Sequence, residues 1–297
     1  MIDLKAYLKE RAARINQALD EYLPAENEEP ATLHKAMRYS VMAGGKRIRP
    51  VLMMAACEAV GGRAEAVIPA ACAMEMIHTY SLIHDDLPAM DDDDYRRGRL
   101  TCHKVFGEAM AILAGDALLT EAFVLLSAPG VFADLPAERV IQVTHSIASA
   151  AGSRGMVGGQ AVDIESEGKK ITPEVLHYLH THKTGALILA SLQAGALIGG
   201  ASDRAFSDMT RYGEAVGLAF QVADDILDVV GDEKELGKQT GVDATHGKAT
   251  YPALFGLDEA RKRAALLRDE SITALESFGE EAEALRLIAD YVVKRTS

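Results

Sequence analysis

Residues 84–98 read His84-Asp85-Asp86-Leu87-Pro88-Ala89-Met90-Asp91-Asp92-Asp93-Asp94-Tyr95-Arg96-Arg97-Gly98, six carboxylates set directly before two guanidinium groups. Hard oxygen donors with no cysteine and a single histidine among them suit magnesium, which keeps several waters and completes its shell with substrate phosphates. Arg96 and Arg97 suit the same substrate, because a planar guanidinium grips phosphate oxygens in bidentate fashion. Pro88 blocks helical continuation, so Asp91 is expected to swing back through a turn and share a cation with Asp85. Taken alone, the run also reads as a solvated acidic loop. Two further stretches argue against that.

The first is Asp224-Asp225-Ile226-Leu227-Asp228, within the apolar segment 212–230 that reads as a buried helix. Asp224 and Asp228 are one turn apart on one helix face, with about 5–6 Å between Cβ atoms, and can converge on one or two ions. Gln221 lies on the same side, whereas Asp225 points elsewhere. The second is the stretch Gly237-Lys238-Gln239-Thr240-Gly241 followed by Gly247-Lys248. Glycine lets backbone approach an anion, and each lysine adds a point charge for phosphate. No strand precedes it and the Walker spacing is absent.

Together with Gly44-Gly45-Lys46-Arg47-Ile48-Arg49-Pro50, Gly159-Gln160-x2-Asp163 and Lys183-Thr184, these motifs resemble, in order, those of the trans-isoprenyl diphosphate synthases, the bacterial farnesyl diphosphate synthases most closely. The resemblance covers about residues 30 to 255. It implies that Lys46, Arg49, His78 and Arg97 hold the diphosphate of isopentenyl diphosphate. It matches Arg96, Lys183, Lys238 and Lys248 to the allylic diphosphate, and Asp85, Asp91, Asp224 and Asp228 to magnesium, three ions with substrate bound. Asp86 and Asp225 complete the two motifs, Thr184 and Gln221 flank the reacting carbon, and a homodimer is implied.

These groups need elements to hold them. The 297 residues are 48% hydrophobic, enough for a sizeable core. No Pro/Gly/Ser-rich linker divides the chain, so one domain over residues 1–297 is expected. Helical periodicity dominates, with breaks at 24–30, 61–62, 88–98, 128–136, 152–159, 199–203 and 231–252. Strand-like alternation is missing. The fold class is therefore all-α, a bundle of about ten or more helices, and both acidic motifs are expected to face one central cavity. Residues 185–201 read as a core helix too short for a typical span of about 20 residues, and no stable membrane insertion is expected. A net charge of −13 excludes the basic face of a nucleic-acid binder. Cys57, Cys72 and Cys102 share no metal-like spacing and suit a reducing compartment, and the N-terminus is no signal peptide, so a cytoplasmic location is expected.

Several stretches are decoys. Residues 152–159 are glycine-rich without βαβ context and read as close helix packing. His177-x2-His180-x-His182 has metal-like spacing, but Lys183 beside it repels a cation. Glu75-x2-His78 and Glu174-x2-His177 would suit a di-iron carboxylate bundle, a reading that leaves both aspartate motifs unused. A terpene cyclase would have little use for a second diphosphate site, and a silent partner subunit would not need all six aspartates.

The chemistry that follows is ionisation of an allylic diphosphate to a cation, attack by the double bond of isopentenyl diphosphate, and loss of a proton, with apolar walls such as 185–201 excluding water. Ser81 lies one turn below Asp85 on the same face. Tyr80 falls by geometry only on the flank, yet the resemblance identifies its position as the floor of the tail pocket, where an aromatic goes with a fifteen-carbon product. Farnesyl diphosphate is the expected product, with geranylgeranyl diphosphate second.

Overall fold

A computed structural model describes residues 2–230 and 250–294. Lys238 and Lys248 lie outside the described residues. The chain order is α1 Leu4–Tyr22, α2 Ala31–Val41, α3 Ile48–Ala59, a 3-10 turn Ala64–Val67, α4 Ile68–Asp85, a hairpin of β1 Tyr95–Arg96 and β2 Arg99–Leu100, α5 Cys102–Phe106, α6 Glu108–Ser127, α7 Ala137–Ala151 and α8 Met156–Ser166. There follow α9 Pro173–Leu179, a π-helical turn His180–Gly185, α10 Ala186–Ile198, α11 Asp203–Val230, α12 Tyr251–Phe255, α13 Leu257–Ala274, a 3-10 turn Glu280–Ala282 and α14 Glu283–Lys294. The fold is all-α apart from the two-residue strands.

α3 and α10 form the middle layer. Met53, Met54, Ala190 and Ala194 face a core shared with α4, α6 and α7, while Val51, Leu52, Ile188 and Leu192 face a second core shared with α11, α13 and α14. α10 is buried nearly all round, as expected of a helix without a polar face. Its crossing with α3 is close enough that a Cβ on Gly195 would collide with the Met53 carbonyl.

The structure departs from the sequence reading at residues 152–159. α8 already begins at Met156, so Gly158 and Gly159 sit inside a helix and serve close packing there instead of ending it. α6 is the outlier in burial. Its length and apolar composition would suffice to cross a membrane, and only 39% of that window is buried, against 78% for the comparable window in Ala64–Asp85. Ile112, Leu113 and Val124 of α6 are among the exposed large hydrophobic residues.

Candidate active site

α4 ends at Asp85 because Pro88 cannot continue it. The chain then doubles back. The Asp91 N–H donates to the Asp85 carbonyl at 2.8 Å, which is the return turn that Pro88 predicts. Burial pushes the Asp85 carboxyl up to about 6, Asp91 and Asp86 adding to the rise while Lys183 and Arg96 oppose it. Oxygen donors gathered with less positive charge than they need suit a hard divalent cation.

Asp86 does not join them. Buried at the end of α4, its Oδ1 accepts from both Nε and Nη2 of Arg96 at 2.6 Å. Burial raises its carboxyl, with Arg96 pulling the other way. Arg96, matched in the sequence to a diphosphate, is thus engaged by Asp86, with Asp93 at 3.6 Å. The pair ties the hairpin to the helix end.

Arg97 and Gly98 connect β1 to β2 at φ of 54° and 74°, the positive values that a two-residue type I′ hairpin turn requires at both central positions. Asparagine or glycine is usual where arginine stands, so the turn stores strain to present this guanidinium. Arg97 donates to the Gly44 carbonyl. Tyr39 of α2 secures the hairpin from outside: its hydroxyl donates to the Leu100 carbonyl at 2.7 Å, and the Arg99 guanidinium lies 4.2 Å over its ring.

The cations of residues 46–49 divide by role. Lys46 is exposed. Arg47, in the left-handed region at φ 50°, is buried and reaches Glu75 Oε1 at 2.6 Å, Asn16 Oδ1 at 2.8 Å and the Val41 carbonyl at 2.5 Å. Arg49 has a buried Nε with no partner, and burial lowers its pKa against the pull of Glu75 and Asp224. His78 is pushed well below its ordinary value by burial, then by Arg49, Arg97, Arg96 and Arg47. Arg97 is lowered as well, by burial first. An unsatisfied buried guanidinium beside a second one and a neutral imidazole is a site prepared for an anion.

One cavity of about 420 Å³ joins these groups. Arg49, His78, Tyr80, Ser81, His84, Asp85 and Met90 line one side. Met156, Val157, Gln160, Ala161 and Ile164 of α8 line the other, with Lys183 and Thr184 between. The apolar wall expected from residues 185–201 therefore comes from α8: α10 is spent on the two cores and shows the cavity no side chain. Tyr80, placed on the flank by helical arithmetic, is buried in the cavity lining, its ring edge-on to His84 at 5.7 Å. The Ser81 hydroxyl turns back to the His78 carbonyl at 2.9 Å.

Lys183 rides on the π-helical turn, an uncommon element often found at functional sites. Its Nζ donates to Asp163 Oδ2 at 2.5 Å. α8 approaches so closely that a Cβ on Gly159 would strike the Lys183 backbone nitrogen. Sequence reasoning quoted Asp163 without giving it a role; the signal was its four-residue spacing from Gly159 on one helix face.

On α11, Asp224 is near enough to Arg49 for their charges to interact, so this acidic face reaches the cationic end. Gln221 is half-buried and Asp228 buried on the same helix. Asp225 turns away: its Oδ2 is 3.2 Å from His180 Nε2 and accepts the Tyr251 N–H at 2.7 Å. The di-iron alternative finds no geometry. Glu75 is bonded to Arg47, Glu174 is exposed, and His177 lines a separate cleft against α11 and α13. Among the described residues, the one cluster of three potential metal ligands is Asp92, Asp94 and His103, with two exposed carboxylates.

Carboxylates at one end, unpaired guanidinium character at the other and an apolar wall between them define, in an all-helical bundle, a site for diphosphates carrying hydrocarbon tails. The chain matches the polyprenyl synthetase family over residues 30–288. It is 47% identical over 299 residues to a farnesyl diphosphate synthase of Geobacillus stearothermophilus, covering 99% of this chain and 98% of that protein. It is 45% identical over 296 residues to a geranylgeranyl diphosphate synthase of Cyanophora paradoxa, covering 99% and 97%. The crystal structure of an FPP/GFPP synthase from Zymomonas mobilis superposes with a TM-score of 0.87 at 39% identity, covering 98% and 99% of the two chains. The chain belongs to the polyprenyl synthetase family, and its chemistry is prenyl transfer.

Two outcomes are expected from this geometry. Because the folded Asp85 carboxyl titrates near 6 instead of 3.8, the native chain holds a proton between those values that the unfolded chain has lost. Stability from this group is therefore greatest below pH 3.8, falls as pH rises to about 6, and stays reduced at neutrality. Asp85→Asn should then raise the unfolding free energy of the metal-free protein at pH 7 by roughly 1–3 kcal/mol, read by denaturant titration, and abolish turnover. Arg97→Asn should relieve turn strain by about 1 kcal/mol or more yet weaken metal-free binding of inorganic diphosphate in calorimetry. Unchanged binding would remove Arg97 from the anion site.

Proposed function

We propose that the chain condenses isopentenyl diphosphate head to tail with dimethylallyl and then geranyl diphosphate, giving farnesyl diphosphate and inorganic diphosphate. The observation that carries this is the partnerless buried Nε of Arg49 in a cavity that also holds Asp85. Two differently charged ends call for two diphosphates, one held by cationic side chains alone and one through metal. A terpene cyclase would leave the first end unused.

Magnesium on Asp85, Asp91, Asp224 and Asp228 would neutralise the charge growing on the departing allylic diphosphate. Lys183 adds a fixed positive charge on the cavity side, joined in this reading by Lys238 and Lys248, and Thr184 and Gln221 flank the reacting carbon. Arg49 and Arg97, with Lys46 at the rim, hold the diphosphate of the nucleophilic partner. His78, kept neutral by burial and its arginine neighbours, contributes hydrogen bonding without charge. Val157, Ala161 and Ile164 keep water from the allylic cation. The proton lost after condensation goes to the departing diphosphate.

The fifteen-carbon product is supported by Tyr80, whose buried ring stands in the cavity wall beneath Asp85. Relatives at 47% and 45% identity make products of different length, so overall similarity does not decide it. In the same reading the protein is one cytoplasmic domain, consistent with three buried free cysteines.

A homodimer closes the exposed face of α6, because Ile112, Leu113 and Val124 would otherwise stay in water. Light scattering coupled to size exclusion should give twice the mass of the 31.8 kDa chain, and Leu113→Lys should shift it toward the monomer. A monomeric parent would remove the dimer from this reading.

Incubation of the purified chain with magnesium, isopentenyl diphosphate and dimethylallyl diphosphate tests the reaction itself. Fifteen-carbon product from the parent and longer product from Tyr80→Ala are expected. Twenty-carbon product from the parent would keep the chemistry and discard Tyr80 as the stop. No condensation by the parent would point to a silent partner subunit.

A further inference from the structure

Asp225 is one of the six aspartates of the two motifs, and its sequence position suggests a share in metal binding. Its surroundings suggest otherwise. Successive residues on an α-helix point about 100° apart, so with Asp224 turned toward Arg49, Asp225 faces the π-helical turn. There its Oδ2 meets two donors at once, His180 Nε2 at 3.2 Å and the Tyr251 N–H at 2.7 Å. His180 is 5% exposed and Asp225 9%. The other imidazole nitrogen, Nδ1, is buried with no hydrogen-bond partner, so the polar anchorage of this ring is through Nε2.

His180 opens the turn that carries Lys183 and Thr184 into the cavity. A π-helical turn can relax to α-helical winding, which would rotate every later residue in the segment. Two carboxylates from two helices hold it in place: Asp225 of α11 at its first residue and Asp163 of α8 at Lys183 Nζ. The same Oδ2 also fixes the first N–H of α12, where the described chain resumes after residue 249.

We propose that Asp225 and His180 are positioning residues: through their buried contact they register the Lys183–Thr184 turn against the Asp224–Asp228 face of α11, and Asp225 holds no metal. The inference rests on the condensation reading for its consequence in turnover, and on geometry alone for its consequence in binding. α11 and the π-helical turn touch the same diphosphate from different sides, so loss of register separates the metal-binding face from the lysine that shares its load.

Asp225→Asn distinguishes position from charge, because its amide oxygen can still accept from Tyr251 N–H and His180 Nε2–H, whereas Asp225→Ala accepts from neither. Magnesium-dependent binding of inorganic diphosphate, measured by calorimetry, and steady-state kinetics are read together. Asp225→Ala and His180→Ala should each weaken that binding and lower kcat by roughly 10–100-fold, with KM for isopentenyl diphosphate unchanged, while Asp225→Asn stays within about threefold of the parent. The double variant should cost little more than either single one, since both remove one contact. Asp225→Asn as damaging as Asp225→Ala would show that the charge matters and overturn the inference. So would an additive double variant, or Asp225→Ala binding like the parent. If Asp225→Ala does not fold, the Asn variant against His180→Ala decides by the same criteria. A parent without condensation would sink the condensation reading, while the binding comparison would still judge this one.

Discussion

A site for two diphosphates must hold carboxylates and cations within one small cavity without letting them cancel each other. Free ion pairs in so confined a space would collapse onto one another, and the anion would then have to break them on arrival. This chain meets the constraint by giving most of its charges fixed partners and leaving a few without. Asp86 takes Arg96, Glu75 takes Arg47 and Asp163 takes Lys183. Arg49 is left with a buried nitrogen unsatisfied, and Asp85 is left with a carboxyl raised by burial. The fixed pairs orient the elements, and the uncompensated groups hold the affinity.

The architecture follows from that division. Each fixed pair joins separate stretches of chain: Asp86–Arg96 binds the hairpin to α4, Arg47–Glu75 binds the residue before α3 to α4, and Asp163–Lys183 binds α8 to the π-helical turn. Replacing such buried pairs by apolar side chains would serve stability about as well, so their place in this fold is explained by the geometry they impose. The strained backbone lies in the same region, with Arg47, Asp92 and Arg97 all at positive φ. Strain persists where surrounding contacts overdetermine it, as they do around a site formed before its ligand is bound.

The middle layer of α3 and α10 supplies the stiffness this requires. Both helices send side chains into two cores, and their backbones approach within a distance only glycine at 195 allows. Neither moves without disturbing both halves of the bundle. α8 lies outside that layer, and it provides the apolar wall against which a growing tail would lie.

Much of the helical architecture was legible in the sequence because a helix needs only local periodicity and a stop signal: Pro88 ends α4 and turns the chain so that Asp91 returns to Asp85, and the spacing of Asp224 and Asp228 places them on one face of α11. The motif residues that carry the chemistry were legible for the same reason, as residue types at set intervals. What no interval contains is which charge meets which. Arg96 and Arg97 are neighbours of one kind, yet one is neutralised by Asp86 and the other is held up by a strained turn; Asp224 and Asp225 are neighbours of one kind, yet one faces Arg49 and the other His180. The wall was misplaced onto 185–201 because hydrophobicity reports that a segment is buried and not what it is buried against. Tyr80 was put on the flank because ideal helix geometry cannot say how wide a cavity opens beside it. Those choices depend on partners far away in sequence, Asp163 with Lys183 and Glu75 with Arg47, and only the packed chain brings them within bonding distance.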